Sequence, residues 1–315
     1  MSDLPALFES IEETEEEKHK ISYLPSPFVA ASLPLRDVKA PNFKRKFNNL
    51  ELYLTGSPKV PFGKYARLVL SLLTTKAVIS PKVDEISFHY DTLSHLTDEL
   101  LLPRQRGKDI REQLVLFSLS SFQYREKKKQ RIQKSLFDEY KDDDGFFTAV
   151  WNSHGNISFM KNLQWVDLED EKTGKVQNTI GFTVTLSKEF VELCKNHSVP
   201  IDYTVYSQIS SPLGKDLYAW IIYRNNILAE DEELFVPRKA IVAQFGTGGC
   251  EMDSKSESQT YISIVDKLTE IKNKYYPDLK ITFESSNMGF TLRKSKTIIA
   301  PNDKRYVLVT NFINF

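Results

Sequence analysis

From Ser254 to Tyr276 the apolar residues Tyr261, Ile264, Val265, Leu268, Ile271 and Tyr275 recur with the period of an α-helix, and Pro277 closes the run. A chain that lays down this stripe must bury one face of a long helix against something. On its C-terminal side lie Leu279 to Phe283, a turn at Ser286-Asn287-Met288-Gly289, and Phe290 to Ile298, which together read as a β-hairpin. On its N-terminal side lie two further helices. Pro212 to Leu228 turns Leu213, Leu217, Trp220, Ile221 and Ile227 inward. Val236 to Phe245 places Pro237 in its first turn and ends at Gly246-Thr247-Gly248-Gly249. Three helices and then a two-stranded hairpin are the parts of a winged helix.

The first half presents the same parts. Pro61 to Val78 is a helix with Tyr65, Leu68, Leu72, Leu73 and Val78 on its apolar stripe, stopped by Pro81. Ile86, Phe88 and Tyr90 alternate with polar residues as a short strand does. Asp91 or Thr92 then caps a helix bearing Leu93, Leu96 and Leu100, which Pro103 ends. After the turn Arg104-Gln105-Arg106-Gly107, a second helix from Lys108 turns Ile110, Leu114, Phe117 and Ser121 inward. Two short helices around a glycine-containing turn have helix-turn-helix geometry. Strand character appears next at 122–124, 157–159 and 179–186, with the charged tracts 125–134 and 141–144 between. The expected fold class is therefore α+β, two tandem winged-helix domains. An acidic and extended segment (1–44) precedes a first domain (45–198) and a second (199–315), with the boundary between Asn196 and Asp202.

Charge refines this reading. Forty-two basic and 42 acidic residues cancel, yet the cancellation is local. Residues 1–20 carry seven acids against Lys18 and Lys20, whereas residues 104–134 carry ten bases against Asp109, Glu112 and Glu126. A phosphate footprint depends on clustering, so a neutral total does not exclude nucleic acid. No run approaches the ~20 apolar residues of a membrane span, and no basic-then-apolar leader opens the chain. Cys194 and Cys250 are the two cysteines, which argues against a disulfide framework or a thiolate zinc site and fits a reducing cytoplasm.

Enzymatic constellations are not found. There is no phosphate-binding G-x-x-x-x-G-K-[ST] loop, and Gly214-Lys215 is read as ending in a solvated lysine. The glycines at 246–249 lack the strand-before, helix-after context of a dinucleotide site. His19, His89, His95, His154 and His197 form no His-x-His or i, i+4 metal pair, and Asp142-Asp143-Asp144 reads as a solvated loop. No catalytic residue, metal or cofactor is expected.

Several short motifs, taken in order, resemble the RepA-type initiators of plasmid replication. In the first half they are Pro61-Phe62-Gly63, Arg67-Leu68, Thr74 to Val78, Leu100-Leu101-Leu102, Gly107 and Arg111-Glu112-Gln113-Leu114. In the second they are Val184-Thr185-Leu186-Ser187, Phe190, Val199 to Asp202, Ser211-Pro212-Leu213, Asp216-Leu217-Tyr218, Trp220, Tyr223-Arg224 and Gln244-Phe245-Gly246. The resemblance spans about residues 58 to 300 and departs at Leu101, where the family prefers glycine. It implies a plasmid-encoded bacterial protein that binds directly repeated sites in double-stranded origin DNA, opens adjacent AT-rich DNA and has no catalysis of its own. It also implies homodimers or a monomer–dimer equilibrium, with the host replication initiator and replicative helicase as partners. A winged-helix repressor and an interaction scaffold that never touches DNA are the alternatives.

On this reading the outer face of the Ser254 helix enters the major groove by its N-terminal end. Lys255, Ser256, Gln259 and Ser263 would meet bases or nearby phosphates, since Asp266 and Glu270 make the middle acidic. Arg293, Lys294 and Lys296 of the hairpin, with Lys304 and Arg305 beyond it, would hold the backbone. In the first unit, Arg104, Arg106, Lys108 and Arg111 gather at a helix start, for DNA contact or beside a self-association surface.

Overall fold

The computed structural model describes residues 19–47, 50–133, 146–246, 254–285, 288–299 and 306–308. The chain opens with β1 (His19–Pro25), α1 (Ser26–Ala30), β2 (Asn42–Phe47), β3 (Leu50–Gly56), α2 (Gly63–Ile79), β4 (Ser87–Thr92) and α3 (Leu93–Glu99). One 3-10 turn (Arg104–Arg106) leads into α4 (Gly107–Ser118), followed by β5 (Ser120–Gln133), β6 (Phe146–Ser158), β7 (Met160–Glu169) and β8 (Val176–Leu186). Then come α5 (Lys188–Asn196), β9 (Ser198–Asp202), α6 (Tyr203–Gln208), α7 (Pro212–Ile227), β10 (Glu233–Pro237) and α8 (Arg238–Phe245). The last elements are α9 (Ser254–Lys274), β11 (Ile281–Phe283), β12 (Gly289–Arg293) and β13 (Tyr306–Leu308). Among the described residues this is a mixed α/β architecture with four small sheets.

The pairing repeats between the halves. In the first, β4 pairs antiparallel with β8, which pairs antiparallel with β7. In the second, β10 pairs antiparallel with β12, which pairs antiparallel with β11. Each half thus runs helix, strand, helix, helix and paired strands, and the strand after the first helix joins the last strand. The first half carries an insertion, β5 and β6, which completes the sheet β2-β3-β5-β6. The remaining sheet binds distant parts of the chain, with β1 between β13 and β9.

Local chemistry starts four of the helices, and two of them, α5 and α6, were not expected from the sequence. Thr92, Ser187, Asp202 and Ser211 each accept a hydrogen bond from the backbone N–H three residues on, capping α3, α5, α6 and α7. The end of α3 is more unusual. Leu101 N–H donates to Asp98 O (3.1 Å) and Leu102 N–H to Thr97 O (2.9 Å), the two closing bonds of a Schellman motif. That motif needs a left-handed residue, and Leu101 takes the role with φ of 53°. The turn has therefore kept a glycine's geometry without the glycine. At Gly107, by contrast, a Cβ would lie 2.6 Å from Leu93 Cδ2, so at the present spacing of α3 and α4 any larger residue would push the Leu93 side chain aside.

Both first helices, α2 and α7, are buried around most of their circumference, which makes them the centre of the molecule. One continuous apolar cluster runs through both halves. Phe28 of α1 meets Phe122 at 4.8 Å, and Phe159 contacts Phe28, Phe117, Phe122 and Phe190. Trp220 of α7 holds Phe245 and Phe290 at 6.0 and 6.3 Å in the second half.

Several local expectations are corrected. The stretch after residue 21 is not simply extended, because Ser26-Pro27 open the short α1, in which Pro27, Phe28 and Val29 are buried. Ser121 is not on the inner face of α4; it lies in β5, opposite Thr55 and Ser158. The tract 125–133 is not a connection but part of β5, paired throughout with β6. Val236 and Pro237 belong to β10 rather than a helix, since their ladder with Phe290 and Gly289 holds them extended and α8 starts at Arg238. The second hairpin strand ends at Arg293 instead of Ile298. Asn225 draws the chain away there, accepting from Ser295 N–H (2.7 Å) and donating to Ser295 O (3.1 Å).

Lys215 is the largest correction. It is not solvated but 1% exposed, with Nζ donating to Tyr206 O and lying 4.5 Å over the Tyr206 ring. A Gly-Lys-Asp sequence looks like a polar helix start. The packing of α2 onto α7, with Tyr206 of α6 against Lys215 and Tyr218, is what closes over it. Burial, the first cause, and then the positive charges of Arg67 and Lys64 push its ammonium down to about 7. The acidic segment 1–18, the tract 141–144 and residues 247–249, 286, 287, 304 and 305 lie outside the described residues.

Candidate nucleic-acid interface

In the second half α9 buries Tyr261, Ile264, Leu268 and Ile271, with Val265 and Tyr275 packed partly against the core. The opposite side carries the predicted contact residues. Lys255, Gln259 and Ser263 are exposed and Ser256 is half-buried. Ser263 Oγ donates back to Gln259 O at 3.0 Å, which leaves the Gln259 amide outside that bond. Sequence reasoning overlooked Ile262, 59% exposed, one turn beyond Gln259 and Ser258. It lies off the buried stripe of Tyr261, Ile264, Leu268 and Ile271.

A second residue missed by sequence, Arg238, fixes where this helix begins. Its Nε lies 3.0 Å from Glu257 Oε1, and its Nη2 donates to Ser258 Oγ (2.7 Å). Its backbone N–H donates to Met288 O at 2.8 Å, and the guanidinium lies 5.5 Å over the Tyr261 ring. Tyr261 in turn donates to Gly289 O at 2.9 Å. One arginine and one tyrosine therefore tie the first turns of α8 and α9 to the start of β12. Arg238 also neutralises Glu257, the acid in the first turn of α9.

The hairpin cations differ in commitment. Arg293 is exposed and paired with Glu233 at 2.6 Å, while Lys294 Nζ donates to Asn225 O at 2.7 Å and is half-buried. Lys296 is exposed. Arg293 thus lies beside β10 and Lys294 at the end of α7, while Lys296 O accepts from Tyr276 just past α9; Lys304 and Arg305 are outside the described residues.

In the first half, Arg104, Arg106 and Lys108 are exposed around the start of α4. Arg104 is 3.6 Å from Asp98 and Arg106 is 3.5 Å from Asp109. Such exposed pairs bind weakly and exchange readily with other anions. Arg111 is held differently. It donates to Asp167 (3.3 Å) and Thr179 (3.0 Å), under Trp165 at 5.9 Å, and so braces α4 against β7 and β8. The Thr179 hydroxyl, then the Trp165 indole N–H, hold the Asp167 carboxyl below its ordinary range. Among the described residues no group of three His, Cys, Asp or Glu is placed to hold a metal ion, and no helix is long and apolar enough to cross a membrane.

No protein-family model and no curated protein matches the chain. Among solved structures the chain is similar to domains 2 and 3 of RctB, at 12% identity and a TM-score of 0.48, covering 85% of this chain and 96% of that one. A second structure of RctB domains 2–3 aligns at 10% identity and a TM-score of 0.42, over 79% and 88% of the two chains. The Pi initiator protein in complex with iteron DNA aligns at 10% identity and a TM-score of 0.44, over 88% and 97%.

Proposed function

We propose that the chain is a replication initiator that binds repeated sites in double-stranded origin DNA through two winged-helix units. The observation that carries this reading is the repeated order of elements and pairing, with α9 presenting Lys255, Ser256, Gln259 and Ser263 outward beside a hairpin with basic residues. An α-helix of ~10–12 Å diameter fits the major groove, and a hairpin beside it reaches the backbone. The first unit (45–198) adds Arg104, Arg106 and Lys108 at the start of α4, and the second (199–315) supplies the base-reading helix. Binding to tandem repeats supplies the free energy that opens neighbouring AT-rich DNA, and the opened origin receives the host helicase. No chemical step is assigned to the protein itself.

Binding through several phosphate contacts releases counterions, so affinity should fall by orders of magnitude over a modest rise in salt. The probe is a duplex selected by the protein from a randomised pool, titrated from 50 to 200 mM salt (about the range in which this effect is large). Flat affinity across that range would overturn the reading.

A further inference from the structure

Arg67 is the fifth residue of α2 and Asp216 the fifth residue of α7, so the first helices of the two halves meet at corresponding positions. The contact is bidentate. Arg67 Nε donates to Asp216 Oδ1 and Nη2 to Oδ2, both at 2.6 Å. The remaining donors are used as well: Nη1 on Gly63 O (2.8 Å) and Pro34 O (3.1 Å), and Nη2 on Leu33 O (2.7 Å). Arg67 is 2% exposed and Asp216 8%. Every guanidinium N–H is thereby directed, by a planar fork that tolerates little rotation.

Such a pair is a poor source of stability, because desolvating two charges offsets most of their attraction. Its distinctive property is directional. Apolar side chains of similar volume would hold α2 against α7 but would let the helices slide and rotate. In the first half α4 packs on α2, and in the second α9 packs on α7. The angle between α2 and α7 is therefore transmitted to α4 and α9, the two helices whose exposed polar residues form the candidate interface.

We propose that Arg67 and Asp216 are positioning residues that set the register between the two units, and with it the base-pair spacing accepted between the two parts of one DNA site. The spacing clause rests on the proposed DNA-binding function; the register clause does not. One inserted base pair turns the second part of a site by roughly 35° and moves it about 3.4 Å. A protein with a fixed register rejects that insertion, whereas one with a loosened register follows it.

The test uses the full chain and the double variant Arg67→Met/Asp216→Leu, which keeps volume and leaves no unpaired buried charge. Asp216→Asn is the second variant should the first fail to fold, as judged by a cooperative urea transition. The first readout needs no DNA. Spin labels at Glu112 in α4 and Asn273 in α9, both exposed, report the distance distribution between the units. It should be narrow in the wild type and broad in the variants, and an unchanged distribution overturns the proposal. The second readout is affinity for the pool-selected duplex and for versions with one base pair inserted between its two protected segments. The wild type should lose about tenfold or more on insertion, the order of a good base mismatch, and the folded variant should lose far less. Equal discrimination by both proteins, or none by the wild type, overturns the spacing clause. Failure of the wild type to select any duplex refutes DNA binding instead, and leaves the distance measurement to decide the register.

Discussion

Replacing Lys215 by methionine removes a titrating group from the centre of the molecule and keeps most of its length. In the folded chain the Lys215 ammonium is pushed down from 10.5 to about 7, first by burial and then by Arg67 and Lys64, with Asp216 opposing. Between those values the unfolded chain holds a proton that the folded chain has lost. Unfolding then takes up that proton, so stability from this group rises with pH from about 7 toward 10.5. One proton corresponds to about 1.4 kcal/mol per pH unit at full difference. Because the folded lysine is half-titrated near pH 7, the wild type should gain on the order of 2 kcal/mol over the variant between pH 7 and pH 9. The assay is urea unfolding of both proteins at several pH values, each giving a midpoint and slope. Cys194, Tyr203 and Tyr206, whose pKa values burial raises, are common to both proteins and cancel in the difference. Parallel stability curves would refute the reasoning, since they would mean that Lys215 stays charged in the fold. A difference of the opposite sign would mean that the Tyr206 and Ser207 carbonyls outweigh burial.

Leu101→Gly should stabilise the protein by about 1 kcal/mol in the same urea assay, because the left-handed residue no longer carries a Cβ; the loss of a partly exposed side chain offsets part of the gain. Gln259→Ala should cost about 1–3 kcal/mol on the selected duplex and little on random DNA. Lys296→Ala, at an exposed cation, should weaken binding to both DNAs alike and flatten the salt slope, and identical behaviour of the two variants would sink the division between helix and hairpin. Pure protein should leave supercoiled plasmid intact in magnesium or manganese, and metal-dependent nicking would place a nuclease in the chain.

Most helices and their order were legible in the residues alone. The 3.6-residue stripe from Tyr261 to Ile271 needed no partner to be read, because a helix with one apolar face has only one way to bury it. Thr92, one of the two cap candidates, marked a helix start through a bond made within four residues, which is why local reasoning reaches it, whereas α5 and its cap Ser187 went unread. Arg67-Leu68 and Asp216-Leu217-Tyr218 were also visible as motif pieces. That Arg67 and Asp216 face each other was not, since 149 residues separate them. The same holds for Lys215, read as solvated because polarity is local while burial is imposed by other helices. Arg111 looked like its neighbours Arg104 and Arg106, and only the distant Asp167 and Thr179 distinguish it. Arg238 and Asn225 were silent in the sequence for a related reason. Their partners include backbone carbonyls and amides brought close by the fold, and a main-chain group leaves no trace in the identity of the residue that bears it. Long-range packing thus settles which charges are free to meet a ligand and which are spent holding the two halves in place.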